Sequence, residues 1–276
     1  MKMKLFAAAV AALAAGGAYA QSSVTLYGVV DAGVEYQNHQ ANTTGSHDVV
    51  RLNSGNMSGS RWGLRGVEDL GGGLKGVFVL ESGFSVDTGT MGQGNRLFGR
   101  QAFVGVQSQF GTLTLGRHQT PFYEFGLAFD PMAISSNYSI TAQATEFQSR
   151  ADNSIKYTGT FGGLTGSLLY STGTNTGAAA ASALNAPYGN NAGEVPGNYH
   201  LGREYSASLI YNGGPFSIGA IYDETNVGIA TADGAKIRRA SAAGSYAFGP
   251  AKVFAGYRYA NTTRLLFVLN VVGSKK

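Results

Sequence analysis

The sequence predicts an all-β protein, a transmembrane antiparallel β-barrel, on three observations. Long segments alternate apolar and polar side chains with a period of two, the pattern of a strand with one apolar face. Short glycine turns and long polar connections follow one another in strict alternation, as they do at the two ends of a membrane barrel. After residue 20, no segment approaches the roughly 20 apolar residues that a membrane-spanning helix requires, which excludes a helical membrane protein.

The N-terminus has the pattern of a secretory signal peptide. Lys2 and Lys4 precede an apolar run from Leu5 to Ala15, and a small-x-small sequence ends at Ala20. We therefore predict that residues 1–20 are a signal peptide cleaved after Ala20. Its removal would take two lysines away and lower the formal net charge from +4 to +2, so the mature chain would be nearly neutral and no nucleic-acid partner is indicated.

The composition fits either a soluble β-protein or a membrane barrel. The chain has 0 cysteines, so an exported protein of this kind must be stabilised by something other than disulfides. It has 41 glycines and 15 residues each of tyrosine and phenylalanine, which suits hairpin turns and aromatic strand ends. A barrel exposes only alternate residues to lipid, so its overall composition need not be strongly apolar.

The first strand after the signal peptide is the clearest. It alternates over about 13 residues, longer than the usual strand of five or six. The same alternation recurs along the chain, with Trp62 opposing Arg61 and later apolar faces that end in tyrosine or phenylalanine. The faces of the first strand are Val24, Leu26, Val30, Ala32, Val34 and Tyr36 on one side, and Thr25, Tyr27, Asp31 and Glu35 on the other.

The connections favour the barrel over a soluble sandwich, because nothing in a sandwich requires short and long connections to alternate. Tight turns are predicted at 71–73, 110–111, 162–163, 213–215 and 249–250. Long connections are predicted at 37–48, 87–96, 118–150, 173–202 and 224–236. The match to G-x-G-x-x-G at Gly71, Gly73 and Gly76 is interpreted as a hairpin turn, because a strand follows it instead of the helix that a dinucleotide site needs.

The functional prediction depends mainly on the connection from Arg117 to Arg150. It has no sustained period of 2 or 3.6 and is too polar and broken to suggest a buried helix, yet it carries Glu124, Asp130 and Glu146. A loop of this length within a compact domain is usually functional. We predict that it folds back inside the barrel and narrows a pore.

Basic side chains are crowded into the first half of the chain, and the acidic loop follows the same strands. Opposed charged walls set the ion preference of a pore, although ordinary polarity of the lumen remains the alternative. Alternation places Arg100 on the face of Ala102 and Val104, towards lipid, at a cost of roughly 2–4 kcal/mol. We therefore expect Arg100 to point inward and the face carrying Gly105 to lie against a neighbouring subunit. The basic residues are Arg61, Arg65, Lys75, Arg100, Arg117, Arg150 and Lys156.

No residue pattern indicates a metal, a cofactor or catalysis. His39, His47, His118 and His200 have no metal-ligand partner three or four residues away, although His118 opens the long loop and could face the pore. No nucleophile-elbow or P-loop motif is present. An outer-membrane lipid hydrolase would need a serine–histidine contact on the lipid face, and an adhesin or surface anchor would need a plugged lumen.

Four segments together resemble the general trimeric porins of Gram-negative bacteria, in particular the β-proteobacterial branch. The segments are SSVTLYGVVDAGVEY (22–36), SGSRWGLRGVEDLGGGLKGVFVLESGF (58–84), RLFGRQAFVGVQSQFGTLTLGRHQTPFYE (96–124) and SRADNSIKYTG (149–159). The resemblance implies a water-filled barrel of 16 strands, a homotrimer, and a third external loop inside the lumen. It also implies contact with outer-membrane lipid and lipopolysaccharide.

The resemblance assigns roles to seven residues of the predicted constriction. Arg61, Arg100 and Arg150 would form the positive wall and Arg117 would lie at the entry of the loop. Glu124 and Asp130 would face the wall, and we add Lys75 from its inward position in the strand pattern. The predicted function is an outer-membrane porin, with no catalysis or cofactor, for passive diffusion of ions and small hydrophilic solutes, mildly selective for anions.

The C-terminus departs from that family. We count eleven strands up to Tyr259, whereas a bacterial single-chain barrel has an even number. Residues 21–260 are predicted to be an incomplete barrel domain, and residues 261–276 an atypical tail whose run from Leu265 to Leu269 does not alternate. The tail either adds a twelfth strand or marks a truncated, non-functional porin.

Overall fold

The computed structural model describes residues 23–42, 45–135, 137–139, 141–142, 149–174, 194, 196–197, 199–200, 202–226, 236–260 and 266–273. The predicted signal peptide with its cleavage site at Ala20, and Glu146 of the long loop, lie outside these residues. Among the helices in this part of the chain, none is both long enough and apolar enough to cross a membrane.

Antiparallel strands dominate the described residues, with two short helical segments. The strands are β1 (Ser23–Val29), β2 (Ala32–Asn42), β3 (Gly45–Ser54), β4 (Arg61–Gly71), β5 (Leu74–Gly83), β6 (Gln101–Ser108), β7 (Gly111–Gln119), β8 (Arg150–Phe161), β9 (Leu164–Ser171), β10 (Glu204–Gly213), β11 (Phe216–Asn226), β12 (Lys236–Phe248), β13 (Ala251–Ala260) and β14 (Leu266–Gly273). The helical segments are α1 (Gly92–Asn95), a distorted single turn, and α2 (Pro121–Phe129).

Twelve of these strands form one sheet in nearly sequential order. The order is β1-β4-β5-β6-β7-β8-β9-β10-β11-β12-β13-β14, and β2 pairs with β3 in a separate hairpin. The C-terminal tail contributes β14, which pairs with β13 from Arg258–Leu266 to Ala251–Gly273. Of the two alternatives left open for the tail, the structure shows an added strand, and within the described residues β1 and β14 are the outer strands of the sheet.

The two faces of the sheet differ as the alternation predicts. On β10, Ser206 and Ser208 are 4% and 5% exposed, whereas Leu209 and Tyr211 are 56% and 43% exposed. The polar side chains are thus covered and the apolar ones uncovered, the reverse of a soluble protein. This arrangement suits a sheet whose outer face meets lipid and whose inner face surrounds a polar space.

The predicted short turns are confirmed, and one of the predicted long connections is wrong. Turns join β4 to β5, β6 to β7, β8 to β9, β10 to β11 and β12 to β13, and Gly72 takes the left-handed φ of 61° that glycine accommodates without strain. The segment 37–48 was expected to be a long connection, but β2 and β3 extend through most of it. A polar side chain of this segment pairs across the hairpin, since Gln37 Oε1 accepts a hydrogen bond from Arg51 Nη2 at 2.8 Å.

Asp31 fixes the segment that links the outer hairpin to the main sheet. Its carboxylate accepts hydrogen bonds from the backbone N–H groups of Ser58, Met57 and Asn56, at 2.8, 2.9 and 3.1 Å. These donors, with Ser58 contributing most, lower the pKa of the Asp31 carboxyl below its ordinary value. The carboxylate therefore stabilises residues 56–58 in its charged form.

We expect this stabilisation to disappear in acid. Because the folded pKa is lowered, it is fully present above about pH 4 and is lost as the pH falls through the lowered pKa of the folded state. Hydrogen exchange of the Met57 and Ser58 amides should accelerate over that range, after correction for the intrinsic rate. In Asp31→Asn the exchange should be fast at neutral pH already, and protection equal to that of the unmodified chain would contradict this role.

Candidate functional site

The long connection begins with a buried helix, which the sequence interpretation missed. Thr120 caps α2 by accepting a hydrogen bond from the Tyr123 N–H at 3.1 Å, and Pro121 occupies the first turn. Phe122, Phe125 and Phe129 follow at the spacing of one helical face and are 2%, 6% and 8% exposed. The expectation that this segment was too polar and broken for a buried helix is wrong. The Thr-Pro cap followed by this aromatic spacing was the available signal.

Helix α2 packs on the inner face of β10, β11 and β12. Its phenylalanines form an apolar cluster with Ile221, against which Ile210 and Ala243 pack. Gly219 of β11 allows this close approach, since a Cβ there would lie 2.9 Å from the ring of Phe129. The loop is thus held inside the curve of the sheet by apolar contact.

The loop then crosses to the opposite part of the sheet. Ser135 Oγ donates to the carbonyl of Asn56, beside the start of β4, and Asn137 Nδ2 donates to Asn56 Oδ1 at 3.1 Å. Six residues from Phe129 to Ser135 reach at most about 20 Å. In a flat sheet β11 and β4 would be about 34 Å apart, at seven strand spacings. The sheet must therefore curl around the loop.

On the inner side of the sheet near β4, β5 and β6, several side chains surround one buried carboxylate. Glu81 accepts hydrogen bonds from Arg100 Nε at 2.7 Å and from the hydroxyl of Tyr27 at 3.0 Å, and Arg61 Nε lies 3.8 Å from it. Arg61 also donates to Ser58 Oγ at 2.9 Å. Two arginines therefore share the charge of one glutamate.

A second carboxylate, Asp152 of β8, organises the adjoining wall. It accepts hydrogen bonds from Arg117 and from Arg96, the latter reaching both oxygens at 2.9 Å. Arg117 also donates through Nε to the carbonyl of Gly99 at 2.8 Å. The side chains of Arg61 and Arg96 are 24% and 23% exposed, the largest values in the ion pairs centred on Glu81 and Asp152.

Arg150 joins this wall to the loop. Its Nε donates to the carbonyl of Arg100 at 3.0 Å, and its guanidinium carbon lies 5.4 Å from the ring centroid of Tyr123 on α2, within cation–π range. We call the set that faces the loop the arginine wall. In the part of the chain that the structure describes, it comprises Arg61, Arg96, Arg100, Arg117 and Arg150 with the carboxylates of Glu81 and Asp152.

The remaining predicted constriction residues lie elsewhere. Lys75 is exposed near the β4–β5 turn, six residues or about 20 Å along the strand from Glu81. Glu124 of α2 pairs with Lys156 and accepts from Ser167 Oγ at 3.3 Å. Asp130 binds within its own loop, to the Met132 N–H at 2.8 Å and to Ser139.

Sequence reasoning did not assign Arg96, Glu81 and Asp152 to the site. Glu81 follows Leu80 in an alternating strand, on the face opposite the apolar side chains, and that position was the available signal for its role. Arg96 fell in a predicted long connection, where no alternation exists to orient it. Asp152 follows the loop directly and forms its ion pairs with Arg96 and Arg117 only through the fold.

Arg100 points inward, but the expected orientation of β6 is wrong. Val104 and Val106 are exposed on the outer face, and Gly105 pairs with inward-facing neighbours. Arg100 does not follow the alternation of β6 because it precedes the strand and follows a turn at Gly99. The face carrying Gly105 therefore lies on the side of Glu81 and not against another subunit.

His118 lies in the inner wall. It is 2% exposed, its ring stacks on Phe103 at 4.9 Å, and its Nδ1 lies 2.8 Å from Ser154 Oγ. This serine–histidine contact is on the inner side, whereas a lipid hydrolase would need one on the lipid face. In the described ranges, no group of three or more histidine, cysteine or acidic side chains could hold a metal ion.

A further charged cluster lies beneath α2, on the inner face of β10, β11 and β12. Arg239 donates to Asp223 and, at 3.0 Å, to Thr225 Oγ1, and its guanidinium carbon lies 6.0 Å from the ring centroid of Phe122. Glu204 is fully buried beside Asp223. The sequence reasoning missed this cluster, although each member falls on the inward face of its strand.

Known proteins are similar to this chain in sequence and in structure. The profile of the Gram-negative porin family matches residues 7–265. An outer membrane porin protein of Bordetella pertussis is 35% identical, over 95% of this chain and 70% of that protein. Outer membrane porin protein 32 of Delftia acidovorans is 33% identical, over 92% and 68%. The solved structure of an anion-selective porin from Comamonas acidovorans superposes with a TM-score of 0.69 at 26% identity, covering 89% of this chain and 71% of that one.

Proposed function

We propose, from the premise that this chain belongs to the Gram-negative porin family, that its pore is narrowest between the arginine wall and α2 and mildly favours anions. The chain is an outer-membrane porin, a channel for passive diffusion. Small hydrophilic solutes and ions would cross it through water, without catalysis or a cofactor. The relatives place it in the outer membrane of a Gram-negative bacterium.

The charge balance of the arginine wall carries the anion preference. Four of its arginines, Arg61, Arg96, Arg100 and Arg117, share the carboxylates of Glu81 and Asp152, so positive charge exceeds negative charge in these ion pairs. The two acids predicted to oppose the wall are engaged elsewhere, Glu124 with Lys156 and Asp130 within the loop. The anion-selective porin of Comamonas acidovorans, which is similar in structure, supports the same sign of selectivity.

The preference should be mild. An anion about 6 Å from one unpaired cation gains roughly 1–1.5 kcal/mol at an effective dielectric near 40. Salt at physiological strength screens charges beyond about 8 Å. A water-filled passage lined in this way can bias the permeant ion but cannot exclude the opposite charge.

Removing one exposed wall arginine should reduce the anion preference. In Arg61→Ala or Arg96→Ala, we expect the anion-to-cation permeability ratio to fall measurably at low salt and less at 1 M salt, because the wall loses one positive charge. The ratio is measured from reversal potentials across a salt gradient in a planar bilayer. Arg51→Gln removes an external arginine, also paired with a glutamate but outside the wall, and should leave the ratio unchanged.

The same measurement tests the placement of Lys75. Because Lys75 lies about 20 Å along its strand from Glu81, Lys75→Gln should change the ratio much less than Arg61→Ala. An equal effect of the two substitutions, or an unchanged ratio in both arginine variants, would contradict a constriction at the arginine wall. Single-channel steps in groups of three would support the homotrimer that we propose from the family resemblance.

A further inference from the structure

The connection from β5 to β6 folds back onto the inner face of the sheet. A Cβ added to Gly92, the first residue of α1, would lie 3.4 Å from the carbonyl carbon and oxygen of Gly83, at the end of β5. Gly83 comes two residues after Glu81 and therefore lies on the same face of the strand. Arg96 follows α1 directly and reaches Asp152 on β8. The turn α1 thus lies on the surface that carries the arginine wall.

The side chain of Gln93 packs between two glycines of this surface. A Cβ at Gly99 would lie 2.6 Å from Gln93 Cβ, and a Cβ at Gly83 would lie 2.2 Å from Gln93 Oε1. Both distances are shorter than real Cβ contacts, so the two glycines leave the space that Gln93 occupies. A Cβ at Gly99 would also lie 3.0 Å from Arg96 Cβ. Gln93 and Arg96 therefore pack against the same glycine.

The backbone of α1 has a conformation that most side chains disfavour. Gln93, Gly94 and Asn95 have φ angles of 49°, 74° and 63°, all in the left-handed region. Glycine and asparagine adopt this region readily, whereas a residue such as glutamine seldom does. Left-handed backbone at such a residue persists only where surrounding contacts enforce it, and these positions cluster at functional sites. Here the enforcing contacts are those of the Gln93 side chain with the two glycines.

The size of the Gln93 side chain matters more than a hydrogen bond from its oxygen. Gln93 Oε1 is buried, and among the described residues no donor lies within hydrogen-bond distance of it. A buried acceptor without a partner costs stability, so this oxygen does not hold the side chain in place. Packing against the two glycines does, and an apolar side chain of the same length would fill the space as well.

We infer that Gln93 is a positioning residue of the pore, which keeps Arg96 at the arginine wall. Asp152 fixes the guanidinium of Arg96 through both carboxylate oxygens at 2.9 Å, whereas Gln93 fixes the backbone from which that side chain extends. Without the Gln93 contact, α1 moves away from the wall and takes the charge of Arg96 with it. The inference rests on the proposed function, because it explains how one of the selective charges is held in place.

The first test is the reversal potential of Gln93→Gly, measured at low salt in a planar bilayer. This variant removes the side chain and also the left-handed strain of residue 93, so the guanidinium midpoint of unfolding should change little. The anion-to-cation permeability ratio should fall towards that of Arg96→Ala but not below it, because Arg96 is still present but no longer held. An unchanged ratio would overturn the inference, since Gln93 would then serve only the fold.

Three further variants separate the Gln93 contact from other effects. Asn95→Gly places a glycine in the same turn and keeps the contact, so an unmodified ratio is expected, and a fall equal to that in Gln93→Gly would assign the effect to backbone freedom instead. Gln93→Met keeps the length without the amide and should also keep the ratio, whereas a fall would contradict the packing role. In Gln93→Gly/Arg96→Ala the ratio should equal that of Arg96→Ala, since changes that act through one group are not additive. Additive losses would contradict an action through Arg96.

A second readout does not depend on conduction. The chain has 0 cysteines, so Leu97→Cys, at a side chain that is 55% exposed, attaches one nitroxide label beside Arg96. The spectrum of this label should show faster motion in the Gln93→Gly background and unchanged motion in the Asn95→Gly background. Equal label motion in all three backgrounds would overturn the inference. Faster motion in Gln93→Gly together with an unmodified ratio in Arg96→Ala would instead contradict the proposed constriction and leave the packing role of Gln93 intact.

Discussion

Replacing Arg239 with alanine should lower the free energy of unfolding by about 3–5 kcal/mol, because it leaves buried carboxylates without their cation. Arg239 is 2% exposed, and it pairs with Asp223 and Thr225 beneath α2. Glu204, also fully buried, would remain beside Asp223. The loss should appear as a lower guanidinium midpoint in unfolding followed by fluorescence or by electrophoretic mobility.

The matched control is a charged pair on the opposite face of the same two strands. Glu224→Ala removes a carboxylate whose partners are more than half exposed, and it should cost about 1 kcal/mol or less. If the two variants lost the same stability, burial beneath α2 would not explain the importance of Arg239. Retained anion preference in refolded Arg239→Ala would show that the cluster stabilises the fold without setting selectivity.

Replacing Phe125 with alanine should free α2 from the inner wall and widen the pore. Phe125 is 6% exposed and its ring lies 4.9 Å from that of Phe129, so truncation removes about 3–5 kcal/mol of packing from the loop. Because the loop is one local unit attached to a hydrogen-bonded sheet, global unfolding should change little. We expect a larger single-channel conductance, more current noise and a weaker anion preference.

Leu127→Ala is the control for this prediction, since Leu127 lies on the same helix but is 40% exposed. It should leave the conductance unchanged. Ser135→Ala removes the hydrogen bond from the other end of the loop to Asn56 and should raise the noise without widening the pore as much. A Phe125→Ala channel with the unmodified conductance would show that α2 does not limit the pore.

Much of the site could be expected from the chain alone, and the exceptions share a cause. Arg61 and Arg100 were expected to point inward, and both contact Glu81. Glu124 and Asp130 were expected to face the arginines, but Glu124 pairs with Lys156 of the neighbouring wall and Asp130 binds its own loop. Which partner an acid takes depends on the path of a loop, and the residue types in that loop do not specify the path.

The sequence by itself determined the sheet, its turns and which face of most strands is apolar. A period of two predicts the apolar face because each side chain of a strand points to the side opposite its neighbours. A register shift of one residue would therefore move every side chain of the strand to the other face of the sheet. The hairpin at 37–48 and the buried helix at 121–129 were misjudged because polar strands and short helices depend on contacts made by partners.

Only the tertiary structure decided where the charges meet. Arg96 and Arg117 are 21 residues apart and both reach Asp152, which lies beyond the whole length of the loop. Arg100 lies inward because a turn at Gly99 interrupts the alternation before β6 begins. Local periodicity records the side to which a side chain points, but the distance between two charges depends on how the sheet curls and where the loop crosses it.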